Sequence, residues 1–120
     1  MISEHKILIV DDSAAMRQEL KKILTDAGYN HLLEAGDGHD AIEKYNDSQP
    51  DIMILDLLMP FKGALDIINE IDKEAKVVVI GMPDQKNIVA AAQAAGAKGV
   101  IYKPFDKKAV IAAVEQCLGK

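Results

Sequence analysis

A chain of 120 residues, 49% of them hydrophobic, is long enough to bury a core without disulfides or a structural metal, and its one cysteine, Cys117, excludes an internal disulfide. The formal net charge of −5 argues against nucleic acid as a direct partner, because a polyphosphate needs a basic footprint. No apolar run reaches the roughly 20 residues of a membrane span and the N-terminal MISEHK lacks a signal-peptide core, so residues 1–120 read as one soluble, cytoplasmic domain with no membrane partner.

Apolar runs alternate with helical patterns along the whole chain. KILIV leads into a helix over about Ala14 to Ala27, in which Met16, Leu20, Ile23, Leu24 and Ala27 form one stripe. NHLLEA and a helix over about Asp37 to Asn46 follow, then DIMIL and a helix near Ala64 to Lys73. KVVVI, a helix over about Asp84 to Ala95, GVIY and a helix over about Asp106 to Leu118 complete the pattern. KILIV, DIMIL and KVVVI lack polar alternation, as expected of parallel strands covered on both faces. The expected fold is α/β: a doubly wound, flavodoxin-like parallel sheet of five strands in the order 2-1-3-4-5, flanked by five helices.

Such sheets bind ligands at the carboxyl ends of their strands. The first strand runs out into Asp11 and Asp12, the third into Asp56, the fourth into Gly81 and Met82, and the fifth into Lys103 and Pro104. One carboxylate at a strand-to-helix junction is an ordinary cap; two side by side ask for another reason. With strands one and three adjacent, three carboxylates crowd one rim, which calls for a counter-cation. Hard oxygens with no nearby Cys or His favour Mg²⁺ or Mn²⁺. Lys103 supplies a positive charge suited to a phosphoryl group, and Asp56 is the candidate nucleophile for an aspartyl phosphate.

IVDDS, DLLMP and YKPF, in this order and spacing, resemble the receiver domain of two-component response regulators, the CheY-like family, over essentially the whole chain. The resemblance implies that Asp56 accepts a phosphoryl group from a phosphohistidine on a sensor histidine kinase or phosphotransfer protein. It implies that Asp11, Asp12, Asp56 and the main-chain carbonyl of Leu58 hold Mg²⁺, and that Lys103 contacts the phosphoryl oxygens. A cis peptide between Lys103 and Pro104 is implied as well. The signal is expected to leave by altered binding of a downstream target protein, through the fourth helix, fifth strand and fifth helix.

Three positions and one loop depart from the family pattern. Gly81 stands where a Ser or Thr hydroxyl is usual, and Met82 stands where a small residue is usual, so its thioether is expected to narrow access to Asp56. Val100 occupies the place of an inward-turning aromatic and is too short for that motion, with Tyr102 expected on the opposite face. MPFKG is one residue shorter than usual, which predicts a tighter loop after Asp56. Leu58 and Pro83 carry no side-chain polar group to orient a hydrolytic water, so slow loss of phosphate is expected.

Two other readings of the fold stand beside this one: an adaptor that works without phosphorylation, and a phosphorelay intermediate. A flavin-binding reading needs donors, not two aspartates, in the first loop, and a dehalogenase-type phosphatase needs an aspartate where Leu58 stands. GDG at Gly36 to Gly38 reads as a turn. His5, His31 and His39 show no ligand spacing, and Lys98, Lys107 and Lys108 read as a solvated face that could attract an acidic partner.

Overall fold

The structure is a computed structural model that describes residues 3–59 and 63–119. Five strands and five helices alternate: β1 Ser3–Val10, α1 Ala14–Asp26, β2 Tyr29–Ala35, α2 Gly38–Ser48 and β3 Ile52–Asp56, then α3 Ala64–Glu70, β4 Val77–Gly81, α4 Lys86–Ala95, β5 Gly99–Tyr102 and α5 Lys107–Leu118. The strands form one parallel sheet in the order β2-β1-β3-β4-β5, the order of the expected doubly wound fold. Every residue of β3 and β4 is buried, which accounts for their lack of alternation.

Strand pleating divides the core in two. Ile7, Ile9, Ile52, Ile54, Val78, Ile80 and Ile101 face α1 and α5, where Leu20, Leu24, Val110 and Val114 meet them. Leu8, Val10, Met53, Leu55, Val77 and Val79 face α2, α3 and α4 through Tyr45, Ile67, Ile68, Val89 and Ala92. Alternate residues thus serve opposite layers, and each strand needs both. Each buried Leu, Ile or Val contributes about 1.5 to 3 kcal/mol relative to an exposed one.

Local chemistry sets the helix ends. Ser13 caps α1 by accepting from Met16 N, Asp37 caps α2 by accepting from Asp40 N, and Asp106 caps α5 by accepting from Ala109 N. The GDG stretch, read from sequence as a turn, also supplies the cap of α2 through Asp37. Two helices are shorter than expected by more than one residue. α3 stops at Glu70 because Ile71 is extended and Asp72 Oδ1 accepts from Glu74 N in a local turn. α4 starts at Lys86 because Asp84 and Gln85 belong to a turn closed by Gln85 N donating to Met82 O. Ala27 leaves the apolar stripe of α1 and is its exposed C-cap.

Candidate phosphoacceptor and cation site

Register brings the first and third strand exits together. Val10 pairs with Leu55 and Asp56 pairs with Ile80, so the residue after β1 and the last residue of β3 share one rim. Asp11 and Asp56 are the buried charged residues there, at 1% and 4% exposure, while Asp12 is exposed. One carboxylate oxygen from each of Asp11, Asp12 and Asp56 lies within 4.8 Å of the other two. Lys103, carried by β5 across β4, places Nζ 3.7 Å from Asp56 Oδ2. The Lys103 to Pro104 peptide is cis.

The carboxylate oxygens have unequal partners. Asp56 Oδ1 accepts from Leu58 N at 3.1 Å, and Asp11 Oδ1 accepts from Ser13 N at 2.9 Å. Asp11 Oδ2 is buried with no hydrogen-bond partner. A buried carboxylate oxygen without a donor is costly, and native chains keep few of them. Burial, with further repulsion from Asp56 and Asp12, pushes the Asp11 carboxyl up to about 6, against the Ser13 N–H and Lys103, which favour its ionised form. An orphaned oxygen beside two other carboxylates fits a divalent cation with oxygen ligands.

A second layer was missed by sequence reading. Arg17, the only arginine in the chain, donates from Nη1 to the main-chain carbonyl of Asp11 at 2.5 Å and from Nε to Glu34 Oε1 at 3.0 Å. Lys21 Nζ meets the other oxygen, Glu34 Oε2, at 3.0 Å. The Lys21 hydrogen bond, then that of Arg17, holds the Glu34 carboxyl below its usual range despite partial burial. The backbone that carries Asp11 and Asp12 is therefore pinned from α1 and β2. The available signal was the basic pair at positions 17 and 21, one helical turn apart on the helix that packs beside β2.

The departures from the family pattern take definite form. Gly81 leaves no empty pocket: a Cβ there would lie 3.1 Å from both Leu57 Cδ1 and Val89 Cγ2. Met82 sits at the rim, 36% exposed, and Leu58 is 52% exposed. Val100 packs half-buried against the core on the α4 side. Tyr102 is two residues further along β5 and so shares that face of the strand, which corrects the expectation of opposite faces; it is 41% exposed because β5 is an edge strand ending there. The expected tightening of MPFKG falls on Pro60, Phe61 and Lys62, outside the described residues. His31 and His39 are exposed on β2 and α2, and His5 is half-buried on β1, so the three share no site. No helix among the described residues is long and apolar enough to cross a membrane.

Comparison with known proteins agrees with this geometry. The family model described as the response regulator receiver domain matches residues 7–115. The chemotaxis protein CheY of Thermotoga maritima is 43% identical over 114 residues, covering 92% of this chain and 95% of that protein. The chemotaxis protein CheY of Bacillus subtilis is 39% identical over 117 residues, covering 95% and 98%. The solved CheX–CheY complex with BeF3 and Mg²⁺ from Borrelia burgdorferi superposes with a TM-score of 0.89 at 33% identity, covering 97% of this chain and 90% of that one. A family match over most of the chain, near-complete alignment with these relatives and the superposition on a solved structure have one consequence: the chain belongs to the response regulator receiver domain family, a signalling module of two-component systems.

Proposed function

We propose that residues 1–120 form a single receiver domain that is phosphorylated on Asp56 by a phosphohistidine of a sensor histidine kinase or phosphotransfer protein, with dependence on Mg²⁺. The observation that carries the reading is a buried aspartate whose neighbours are two more carboxylates on one side and a lysine 3.7 Å away on the other. A lone ion pair explains Lys103 but leaves Asp11 Oδ2 without a partner.

Asp11, Asp12, Asp56 and the Leu58 main-chain carbonyl would hold the ion, with Mn²⁺ as an alternative. When bound, the cation neutralises charge between the carboxylates and the incoming phosphoryl oxygens. The chain's own groups do the rest. The Leu58 N–H holds Asp56 Oδ1 and so limits rotation of the carboxylate. A carboxylate oxygen of Asp56 forms the new O–P bond while the donor's N–P bond breaks and its electron pair returns to the imidazole nitrogen. Lys103 balances the charge gathered on the transferred group. Leu58 and Pro83 supply no side-chain donor or acceptor to orient an attacking water, so the acyl phosphate should be long-lived. The output is altered binding of a downstream protein in the cytoplasm.

The adaptor reading has one observation in its favour: the hydroxyl position of β4 is a glycine, and Leu57 and Val89 crowd the space beside it. Intact-mass measurement after incubation with Mg²⁺ and acetyl phosphate separates the two readings. Gain of one phosphoryl group by the wild type and none by Asp56→Asn is the expected result. No gain in the wild type would leave the adaptor.

A further inference from the structure

The exit of β4 carries a contact that the acceptor chemistry does not use. Along β4 the backbone alternates its partners: Ile80 O accepts from Leu57 N just beyond β3 at 2.9 Å, and Gly81 O accepts from Lys103 N beyond β5 at 2.9 Å. In a parallel ladder the next N–H, that of Met82, returns to the β3 side. It emerges one step past the last β3–β4 bond, on the edge that carries Asp56. This N–H does not bond to β3. It donates to the side-chain oxygen of Gln85, Met82 N to Gln85 Oε1, at 2.7 Å.

The bond is one half of a reciprocal pair, since Gln85 N donates to Met82 O at 2.9 Å. Gln85 is also the N-cap residue of α4, and its carbonyl accepts from Val89 N at 3.0 Å. One residue therefore ties the end of β4 to the first turn of α4. A Cβ at position 81 would stand in ordinary contact with Gln85 Oε1, at 3.8 Å, while pressing on Leu57 and Val89.

We propose that Gln85 is a positioning residue for phosphoryl transfer, holding the Met82 N–H in the unmodified protein and releasing it to an oxygen of the group on Asp56. The inference rests on Asp56 being the acceptor. A phosphoryl oxygen is charged and the carboxamide oxygen is neutral, and hydrogen bonds to charged acceptors are about twice as strong, so the exchange runs toward the modified aspartate. Release frees Gln85 and loosens the start of α4. In a chain with no hydroxyl at position 81, this strap links the rim of Asp56 to α4 through a hydrogen bond.

The test uses ¹⁵N-labelled protein, Mg²⁺ and beryllofluoride as the phosphoryl mimic. Gln85→Ala should speed hydrogen exchange at the Met82 amide in the unmodified protein and tighten beryllofluoride binding about fivefold, the worth of one neutral hydrogen bond. Gln85→Glu, which offers a charged acceptor, should slow exchange there and weaken the mimic. If the wild type binds beryllofluoride in an Asp56-dependent way but Gln85→Ala leaves its affinity unchanged or lower, the strap is refuted and the acceptor assignment stands. If Asp56→Asn binds the mimic as the wild type does, the acceptor assignment is refuted and the strap's role with it.

Discussion

The exits of β1 and β3 and the exit of β4 lie side by side on one sheet edge and solve the same problem in opposite ways. At the first, backbone and side chains converge without mutual satisfaction: three carboxylates cluster and Asp11 Oδ2 has no partner. At the second, the chain closes on itself, with Gln85 accepting the last free N–H of the strand and Leu57 and Val89 crowding the space over Gly81. An unsatisfied rim has an oxygen to offer a cation, whereas a satisfied rim must give something up before it responds. In the proposed function the chemistry belongs to the first rim and its restraint to the second.

The sharpest way to break this contrast is to remove the positive charge beside Asp56. Lys103→Ala should slow phosphorylation of Asp56 by acetyl phosphate by about 10²-fold or more, the usual cost of deleting one group that stabilises developing charge. A time course of intact mass checks it, and an unchanged rate would make Lys103 a surface lysine.

Next in size is the pH response of the unsatisfied rim. Asp11 has a folded-state pKa raised to about 6 from 3.8, so in metal-free protein its contribution is fully present below about 3.8 and is lost as pH rises through about 6. At about 1.4 kcal/mol per unit, the difference approaches 3 kcal/mol. Glu34, held below its usual range, works the other way: its stabilisation is present above the ordinary carboxylate range and is lost as pH falls through its lowered pKa. Urea melts of wild type and Asp11→Asn at a series of pH values isolate the first contribution. The wild type should gain stability relative to the variant between pH of about 6 and 4, and added Mg²⁺ at neutral pH should narrow the gap by stabilising the wild type.

At the satisfied rim, restoring the family's side chain should cost rather than gain. Gly81→Thr places its Cβ 3.1 Å from Leu57 Cδ1 and Val89 Cγ2, so the fold should lose about 1 to 3 kcal/mol by overpacking. Pairing it with Met82→Ala widens the approach to Asp56 and should speed acetyl phosphate labelling despite that loss. Equal rates in wild type and double variant would show that Met82 does not narrow the approach.

The smallest effect probes the support behind the carboxylates. Arg17→Ala frees the Asp11 carbonyl and leaves Glu34 with Lys21, so Mg²⁺ affinity should fall about tenfold, as for other outer-layer groups of metal sites. Calorimetric titration measures it; affinity equal to wild type would confine Arg17 to packing β2 on α1.

Much of this molecule can be read from its residues. Unbroken apolar strands such as DIMIL can only be covered on both faces, and the order of the five units then permits few topologies. Asp11, Asp12, Asp56 and Lys103 stand out because charged groups at the ends of buried strands have no structural use in pairs. Their convergence on one rim follows from the sheet order alone. What the residues could not disclose depends on where side chains end rather than where they begin. Arg17 and Gln85 are ordinary polar residues in helical or turn sequence, and only the packed chain brings Nη1 to the Asp11 carbonyl and Oε1 to the Met82 N–H. Gly81 reads as a missing hydroxyl, yet tertiary packing decides that Leu57 and Val89 crowd its place. Burial and period act over short stretches of chain, so the layers and the charges at the strand exits are legible in the residues, while the strand order comes with the doubly wound fold that the motifs resemble. Tertiary structure alone decided which backbone donors are already bound, because a long side chain's hydrogen bond depends on a distance of a few tenths of an ångström that no pattern of residues encodes.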